Sequence, residues 1–266
     1  MSHRLTVVGV GPGRVDWCTP AVSAHLGGAT DVVGYGPYLA LVAVAATARL
    51  HPSDNRVEAD RARHALDLAE AGGTVVVVSS GDPGVFAMAS AVLEQLDLHP
   101  TRWRQVEVEI EPGITAAQAV ASRVGAPLGH DFCVLSLSDV LKPWAVIERR
   151  LHAVASVDLV IALYNPRSRH RPHQFGEAMA VVGRYRGPAT PVVVGRDVGR
   201  PTERVVVTDL RRLDHASIDM STVVVVGSST TRVLDRPAGC SVYTPRSYPH
   251  AVTAGPAAST VSGAPA

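Results

Sequence analysis

Two glycine-bearing turns follow apolar strands in this chain: Ser79-Ser80-Gly81-Asp82-Pro83-Gly84-Val85-Phe86 after Thr74 to Val78, and Glu111-Pro112-Gly113-Ile114-Thr115-Ala116-Ala117 after Val106 to Ile110. Each places glycine where backbone must come close to something, and each leads into small or apolar residues that can open a helix. Small ligands of α/β proteins sit in strand-end crevices of this kind. At the first turn a ligand would meet the Gly81 amide and the Asp82 carboxylate, a pair suited to a cationic or amine-bearing group. The plain alternative is an Asp-Pro-Gly turn joining strand to helix. At the second turn the Thr115 hydroxyl and the Ala116 amide would form a polar floor for the same ligand, because a helix N-terminus offers free donors. A helix start with a small packing face accounts for those residues as well.

Three further groups carry chemistry. Gly9-Val10-Gly11-Pro12-Gly13 is like a dinucleotide fingerprint, but Gly-x-Gly-x-x-Gly would need glycine where Arg14 stands, and Pro12 removes an amide donor. No Gly-Lys-Ser/Thr follows any glycine turn, which excludes a Walker A loop. His130-Asp131 precedes a strand that continues to Ser136-Leu137-Ser138-Asp139. Imidazole beside carboxylate can act as acid or base, although a lone histidine is more often structural. Arg167, Arg169 and Arg171 share one loop. A solvated turn is the default, and pairing with a substrate rich in carboxylates is the alternative.

The elements that must position these residues follow from periodicity. Buried strands are expected at Leu5 to Val10, Asp31 to Gly34, Thr74 to Val78 and Val106 to Ile110, with helices from Thr19-Pro20 through Leu26 and from Arg61 to Ala71. Val75 to Val78 is apolar on both faces, as a central parallel strand requires. A helix from Thr115 to about Val124 opens the second half, where strands are expected at Phe132 to Leu137, Leu159 to Leu163, Pro191 to Gly195, Arg204 to Val207 and Thr222 to Val226. Helices fit at Trp144 to Ala155 and Phe175 to Tyr185. The link from Gly195 to Arg204 is too short for a helical crossover, so the second sheet should be mixed.

The 266 residues suffice for two compact domains. Lys+Arg (25) and Asp+Glu (24) nearly cancel, so no whole-protein field draws in nucleic acid or an acidic membrane. The N-terminus lacks the apolar core of a signal peptide, and no apolar stretch reaches membrane-spanning length. Cys18, Cys133 and Cys240 are isolated, which fits a reducing compartment and argues against structural zinc, so no metal and a cytoplasmic location are expected.

In order along the chain, these blocks resemble the tetrapyrrole (precorrin) methyltransferase family, and within it the precorrin-3B C17-methyltransferases of cobalamin synthesis. General family features are Gly9-Val10-Gly11-Pro12-Gly13, Ser80-Gly81-Asp82-Pro83 and Pro112-Gly113-Ile114-Thr115-Ala116. Features of the C17 branch are Val33-Gly34-Tyr35 with Tyr38-Leu39, Gly125 through Cys133, Ser136-Leu137-Ser138-Asp139, Ala162-Leu163-Tyr164-Asn165-Pro166 and Gly227-Ser228-Ser229-Thr230-Thr231. The resemblance covers about Leu5 to Leu234. It implies an α/β fold with a mostly parallel N-terminal domain (1–115), a mixed C-terminal domain (116–244), S-adenosyl-L-methionine in the cleft between them and a homodimer. Residues 245–266 are expected to form a disordered tail.

The activity the resemblance implies is methylation of precorrin-3B at C17 with ring contraction, giving precorrin-4 and S-adenosyl-L-homocysteine. For S-adenosylmethionine the family pattern carries to Pro12, Ser80, Gly81, Asp82, Val85, Thr115, Ala116, Leu163 and Tyr164, then to Val198 and Thr222. The macrocycle is expected against Gly11, Gly13, Asp16 and Tyr35, with Arg167, Arg169 and Arg171 on its acidic side chains. The wider family commonly has an acid directly after the last glycine of the first loop; here Arg14 stands there and Asp16 is the nearest acid. Ring contraction calls for a base, with His130 first and Asp131 and Asp139 behind it. The competing readings are the cobalt-bearing counterpart of the substrate, methylation at another macrocycle carbon, and a tetrapyrrole carrier without turnover. A nucleic-acid methyltransferase is the poorest fit, because the chain has no basic surface stripe.

Overall fold

The structure is a computed structural model that describes residues 3–54, 57–237 and 239–248. The first half runs β1 (Arg4–Gly9), α1 (Pro20–Gly28), β2 (Asp31–Tyr35), α2 (Gly36–Leu39), β3 (Arg49–Ser53), α3 (Glu58–Glu70), β4 (Thr74–Ser79), α4 (Met88–Leu98) and β5 (Glu107–Glu111). These strands form one sheet in the order β3-β2-β4-β1-β5, and every pairing in it is parallel. Val76 and Val78 pack with Val22 and Leu26 of α1. Val75 and Val77 pack with Ala62, Leu66, Met88 and Val92 of α3 and α4 on the other face. Burial on both faces is the reason the β4 sequence has no polar alternation. Thr19 caps α1, its hydroxyl accepting from Val22 N at 3.2 Å, and Pro20 occupies the first turn as expected.

The second half continues α5 (Ala116–Val124), β6 (Gly125–Ala126), β7 (Phe132–Ser136), α6 (Trp144–Ser156), β8 (Val160–Tyr164), α7 (Gln174–Val182), β9 (Pro191–Arg196), β10 (Arg204–Asp209), β11 (Thr222–Val226), β12 (Arg232–Arg236) and β13 (Gly239–Tyr243). The second sheet is ordered β10-β9-β11-β8-β7 and is mixed: β7 and β8 are parallel, whereas β9/β10, β9/β11 and β8/β11 are antiparallel. A small third sheet, β12-β13-β6, was not expected from the sequence, nor were α2 and β3. Both β12 and β3 are edge strands with little buried surface, so neither shows an apolar run. The helix expected to reach Tyr185 stops at Val182, before Gly183.

The carboxyl ends of all five strands of the first sheet lie on one edge. On the second sheet the ends of β7, β8 and β9 share an edge with the start of β11, since Thr222 is registered against Arg196. Thr115, the last residue before α5, stands where these two edges meet. Of the expected tail, residues 245–248 are described, and Tyr248 Oη donates to Asp158 Oδ2 at 3.2 Å. Residues 249–266 lie outside the described residues.

Candidate active site

The floor of the cleft is backbone. Gly11 and Gly81 form an antiparallel bridge, with Gly81 N donating to Gly11 O at 2.8 Å and Gly11 N to Gly81 O at 3.1 Å. Gly81 holds φ 69°, in the left-handed region, where a side chain would be strained. A Cβ on Gly113 would stand 2.6 Å from Gly9 O and closer still to Gly81 O, and one on Gly9 would stand 2.6 Å from Gly113 N. Three strand ends can meet this tightly only because none of the three residues has a side chain. The expected role of the Gly81 amide as a ligand donor is therefore corrected: that amide is spent on Gly11. Asp82 ties the turns together, Oδ1 accepting from Gly84 N at 2.8 Å and Oδ2 from Gly113 N at 3.1 Å. Each oxygen keeps a second lone pair for another partner.

Tyr164, at the end of β8, reaches across to the start of α5. Its hydroxyl shares a hydrogen bond with Thr115 Oγ1 (2.6 Å) and accepts from Ala117 N (2.7 Å). Burial, together with the nearby Asp82 charge, raises its pKa, which keeps the phenol neutral. The Phe86 ring meets Tyr164 edge-on at 5.4 Å while remaining half exposed. Asp82, Phe86, Tyr164 and Thr115 thus converge from both sheets, and Ser80, Val85 and Ala116 are neighbours along the same segments. Leu163 is fully buried in the core, so it supports this wall with its backbone, and Val198 and Thr222 are buried on the same edge of the second sheet. The Thr222 hydroxyl donates to Asp219 Oδ1 at 2.9 Å.

The first glycine loop is clasped from the second half. Arg200 Nε donates to Pro12 O at 3.1 Å, and the Arg200 stem fills the space beside Gly13. Arg14 pairs with Asp16, holding that carboxyl below its ordinary range, and Trp17 lies between the Arg14 and Arg123 guanidinium groups at 5.4 and 4.7 Å. Asp16 is thus already partnered by the residue that displaces the usual acid. Beside this loop a cavity of about 320 Å3 is lined by Val10, Gly13, Arg14, Cys18, Leu26 and Leu41 among others. Tyr35 packs edge-on against Tyr38 at 5.1 Å.

A profile of the Tetrapyrrole (Corrin/Porphyrin) Methylases matches residues 4–214. The chain belongs to that family. A precorrin-3B C(17)-methyltransferase of Sinorhizobium is 49% identical over 93% of this chain and 98% of its own length. The cobalamin biosynthesis protein CobIJ of Mycobacterium tuberculosis is 51% identical, and the present methylase chain, 94% of it aligned, spans about half (49%) of that longer relative. The crystal structure of the methyltransferase CobJ superimposes with a TM-score of 0.86 at 50% identity, covering 91% of this chain and 99% of that one.

Several site expectations for this methylase need correction. His130 and Asp131 precede β7, at the end of the strand opposite Ser136, and a five-residue strand separates the two ends by about 16 Å. His130 packs against Tyr248 at 5.2 Å and stands 4.0 Å from Asp131, far from Tyr164. Neither is a base for the cleft within one chain. Asp139 is on the cleft side, two residues after Leu137, whose N donates to Tyr164 O at 2.9 Å. Gln174 Nε2 donates to Asp139 Oδ2 at 3.0 Å and Arg171 Nε lies 3.7 Å from its Oδ1. Arg171 is only 6% exposed and donates to Leu137 O and Asn165 O, both at 3.0 Å, so it braces two loops instead of greeting substrate. Arg167 donates to His215 O at 3.1 Å, which leaves Arg169 as the exposed member of the three.

The sequence reading also missed Phe86 as a wall, Arg200 as a clasp, and one grouping of metal-ligand type among the described residues. There, His25 Nε2 lies 3.6 Å from Glu111 Oε1 and 3.9 Å from Glu109 Oε2, between α1 and β5. The strict alternation Glu107-Val108-Glu109-Ile110-Glu111 was the signal for two carboxylates on one face.

Proposed function

We propose that this methylase transfers a methyl group from S-adenosyl-L-methionine to C17 of precorrin-3B and contracts the ring to precorrin-4. The observation that carries this reading is 49% identity to a precorrin-3B C(17)-methyltransferase along nearly the whole of both chains. A uroporphyrin-III C-methyltransferase of the same fold, 23% identical, is described in complex with S-adenosyl homocysteine, which supports the cofactor class. The donor set fits that cofactor: the Asp82 carboxylate and the rings of Phe86 and Tyr164 suit a cationic sulfonium and an ammonium group. Ser80, Asp82, Val85, Thr115, Ala116 and Tyr164 would hold it, and when bound it supplies an electrophilic methyl group.

The chain's own work is positioning. Asp82 ties together the turns on one side of the cleft and Tyr164 joins the end of β8 to the start of α5, so that nucleophile and methyl group are held in line, and no covalent protein nucleophile is needed. Ring contraction requires removal of a hydroxyl proton, and Asp139 is the carboxylate of the three expected that stands on the cleft side, oriented by Gln174. The two sheets are read as two domains meeting near residue 115. The family resemblance also carries a cytoplasmic homodimer; sedimentation and cell fractionation test these.

The deciding experiment incubates the protein with precorrin-3B and methyl-labelled S-adenosylmethionine and follows product mass. Label in a ring-contracted product of precorrin-4 mass is expected. Label transfer only to a cobalt-bearing substrate would move the activity to that of a Salmonella typhimurium relative named as a probable cobalt-factor III C(17)-methyltransferase, 41% identical over 92% of this chain. Tetrapyrrole binding without label transfer to either substrate would leave only a carrier.

A further inference from the structure

A second, smaller cavity has Phe86, whose ring also meets Tyr164, in its wall. It is lined by Phe86, Val134, Leu135, Ser136, Ile147, Lys142 and Arg150, and its volume is about 70 Å3. Lys142 lies in the loop between β7 and α6, and Arg150 lies on α6. Lys142 and the exposed Arg150 both line this hollow, beside Ser136 and four apolar residues, and neither cation forms a hydrogen bond or ion pair among the described residues. Burial and the like charges of Arg150 and Arg171 depress the Lys142 pKa, the expected signature of a cation that lacks its counter-ion. Ser136 Oγ accepts from Asn165 Nδ2 at 3.0 Å and from Ser138 N at 3.3 Å. With two acceptances made, its hydroxyl hydrogen remains for an acceptor in the hollow.

From this geometry we infer that Lys142, Arg150 and Ser136 form a carboxylate subsite that seats one acidic side chain of the macrocycle. The inference rests on the tetrapyrrole reading of the neighbouring cleft. Size decides what enters: about 70 Å3 corresponds to roughly two water volumes, enough for one carboxylate arm and far too little for a ring. Charge decides its sign, since an anion relieves the mutual repulsion of the two cations and gains charge-assisted hydrogen bonds from three donors. The subsite takes over the task that the sequence assigned to Arg167, Arg169 and Arg171, two of which are engaged with backbone carbonyls. It lies one aromatic ring from Tyr164, so an arm anchored there fixes the macrocycle relative to the cofactor wall.

The test uses the full chain and two probes: an octacarboxylic porphyrin and its octamethyl ester, with binding read by fluorescence. The acid should bind more tightly than the ester, and its affinity should fall about tenfold in Lys142→Met and in Arg150→Met and further in the double variant. Lys142→Arg should restore most of the loss. Affinity for S-adenosylmethionine and the melting temperature should stay at wild-type values in all four variants, which separates subsite loss from misfolding. Equal affinity of the double variant and the wild type for the acid, or no preference of the wild type for acid over ester, would overturn the subsite. Turnover assays keep the two proposals apart: a wild type that leaves precorrin-3B unmethylated while retaining Lys142-dependent porphyrin binding sinks the proposed reaction and sustains the subsite.

Discussion

At the cleft end of the first sheet, Gly9, Gly81 and Gly113 touch backbone to backbone and few side chains intervene, whereas at the opposite end Asp31 gathers Arg49, His51 and Thr30 around one buried carboxylate. The second sheet repeats the contrast. Its cleft end presents Lys142 and Arg150 without partners among the described residues; its other end binds Asp158 to Ser229, Tyr248 and Arg186, and spends Arg186 on the carbonyls of Gly227, Ala155 and Leu159. One end satisfies its charges within the chain and contributes stability. The other end, although Asp82, Asp139 and Arg196 are partnered there, keeps two cations unmatched among the described residues, a condition for receiving something from outside.

The sharpest way to break this comparison is at the glycine contact. Gly113→Ala would force a Cβ against the Gly9 and Gly81 carbonyls, and we expect the melting temperature to fall by more than about 10 °C with cofactor binding lost. A variant that melts and binds as the wild type does would refute the tight junction. Next in size, Tyr164→Phe removes the acceptor for Ala117 N and the partner of Thr115, and calorimetry should show S-adenosylmethionine binding weakened about tenfold. Undiminished affinity would take Tyr164 out of the site.

The opposite end should answer to acid instead of ligand. Hydrogen bonds from Arg49 first, then from His51 and Thr30, hold the Asp31 carboxyl well below its ordinary range against the effect of burial. A carboxyl depressed in the folded state contributes its full stability above the unfolded pKa of about 4 and loses it as pH falls through the folded value. Asp31→Asn should therefore melt roughly 5 °C below wild type at pH 7, with the gap closing as pH drops below 4; a constant gap would show that the carboxylate charge contributes nothing. Smaller still is a difference in thiol reactivity. Burial pushes the Cys133 thiol up to about 11, while Cys240 is exposed, so alkylation at pH 8 should label Cys240 well before Cys133. The smallest effect is expected at His130, where His130→Ala should change kcat less than twofold, and a hundredfold loss would return it to the chemistry.

Much of this was legible in the sequence where one interaction dominates. The valines of β4 read as a doubly covered strand because burial on both faces forbids alternation, and the mixed second sheet followed from a link too short for a crossover. Edge strand β3, with His51 and Pro52, gave no such signal, since half its surface faces solvent. The arginine loop was misjudged for a different reason. Arg169 and Arg171 are two residues apart, yet a tight turn closing Ser168 on Arg171 points one outward and draws the other into the interior. Strand polarity could have corrected His130, because it precedes its strand while ligands gather at carboxyl ends.

The clasp on the first glycine loop bears on how the protein is made. Pro12 leaves the ribosome 188 residues ahead of Arg200, which donates to its carbonyl. The loop and its apolar hollow are therefore synthesised long before their outer wall exists. The first half can assemble its parallel sheet during translation, but its cleft takes final form only when the β9–β10 hairpin has emerged and docked, so competence to bind arrives late and all at once.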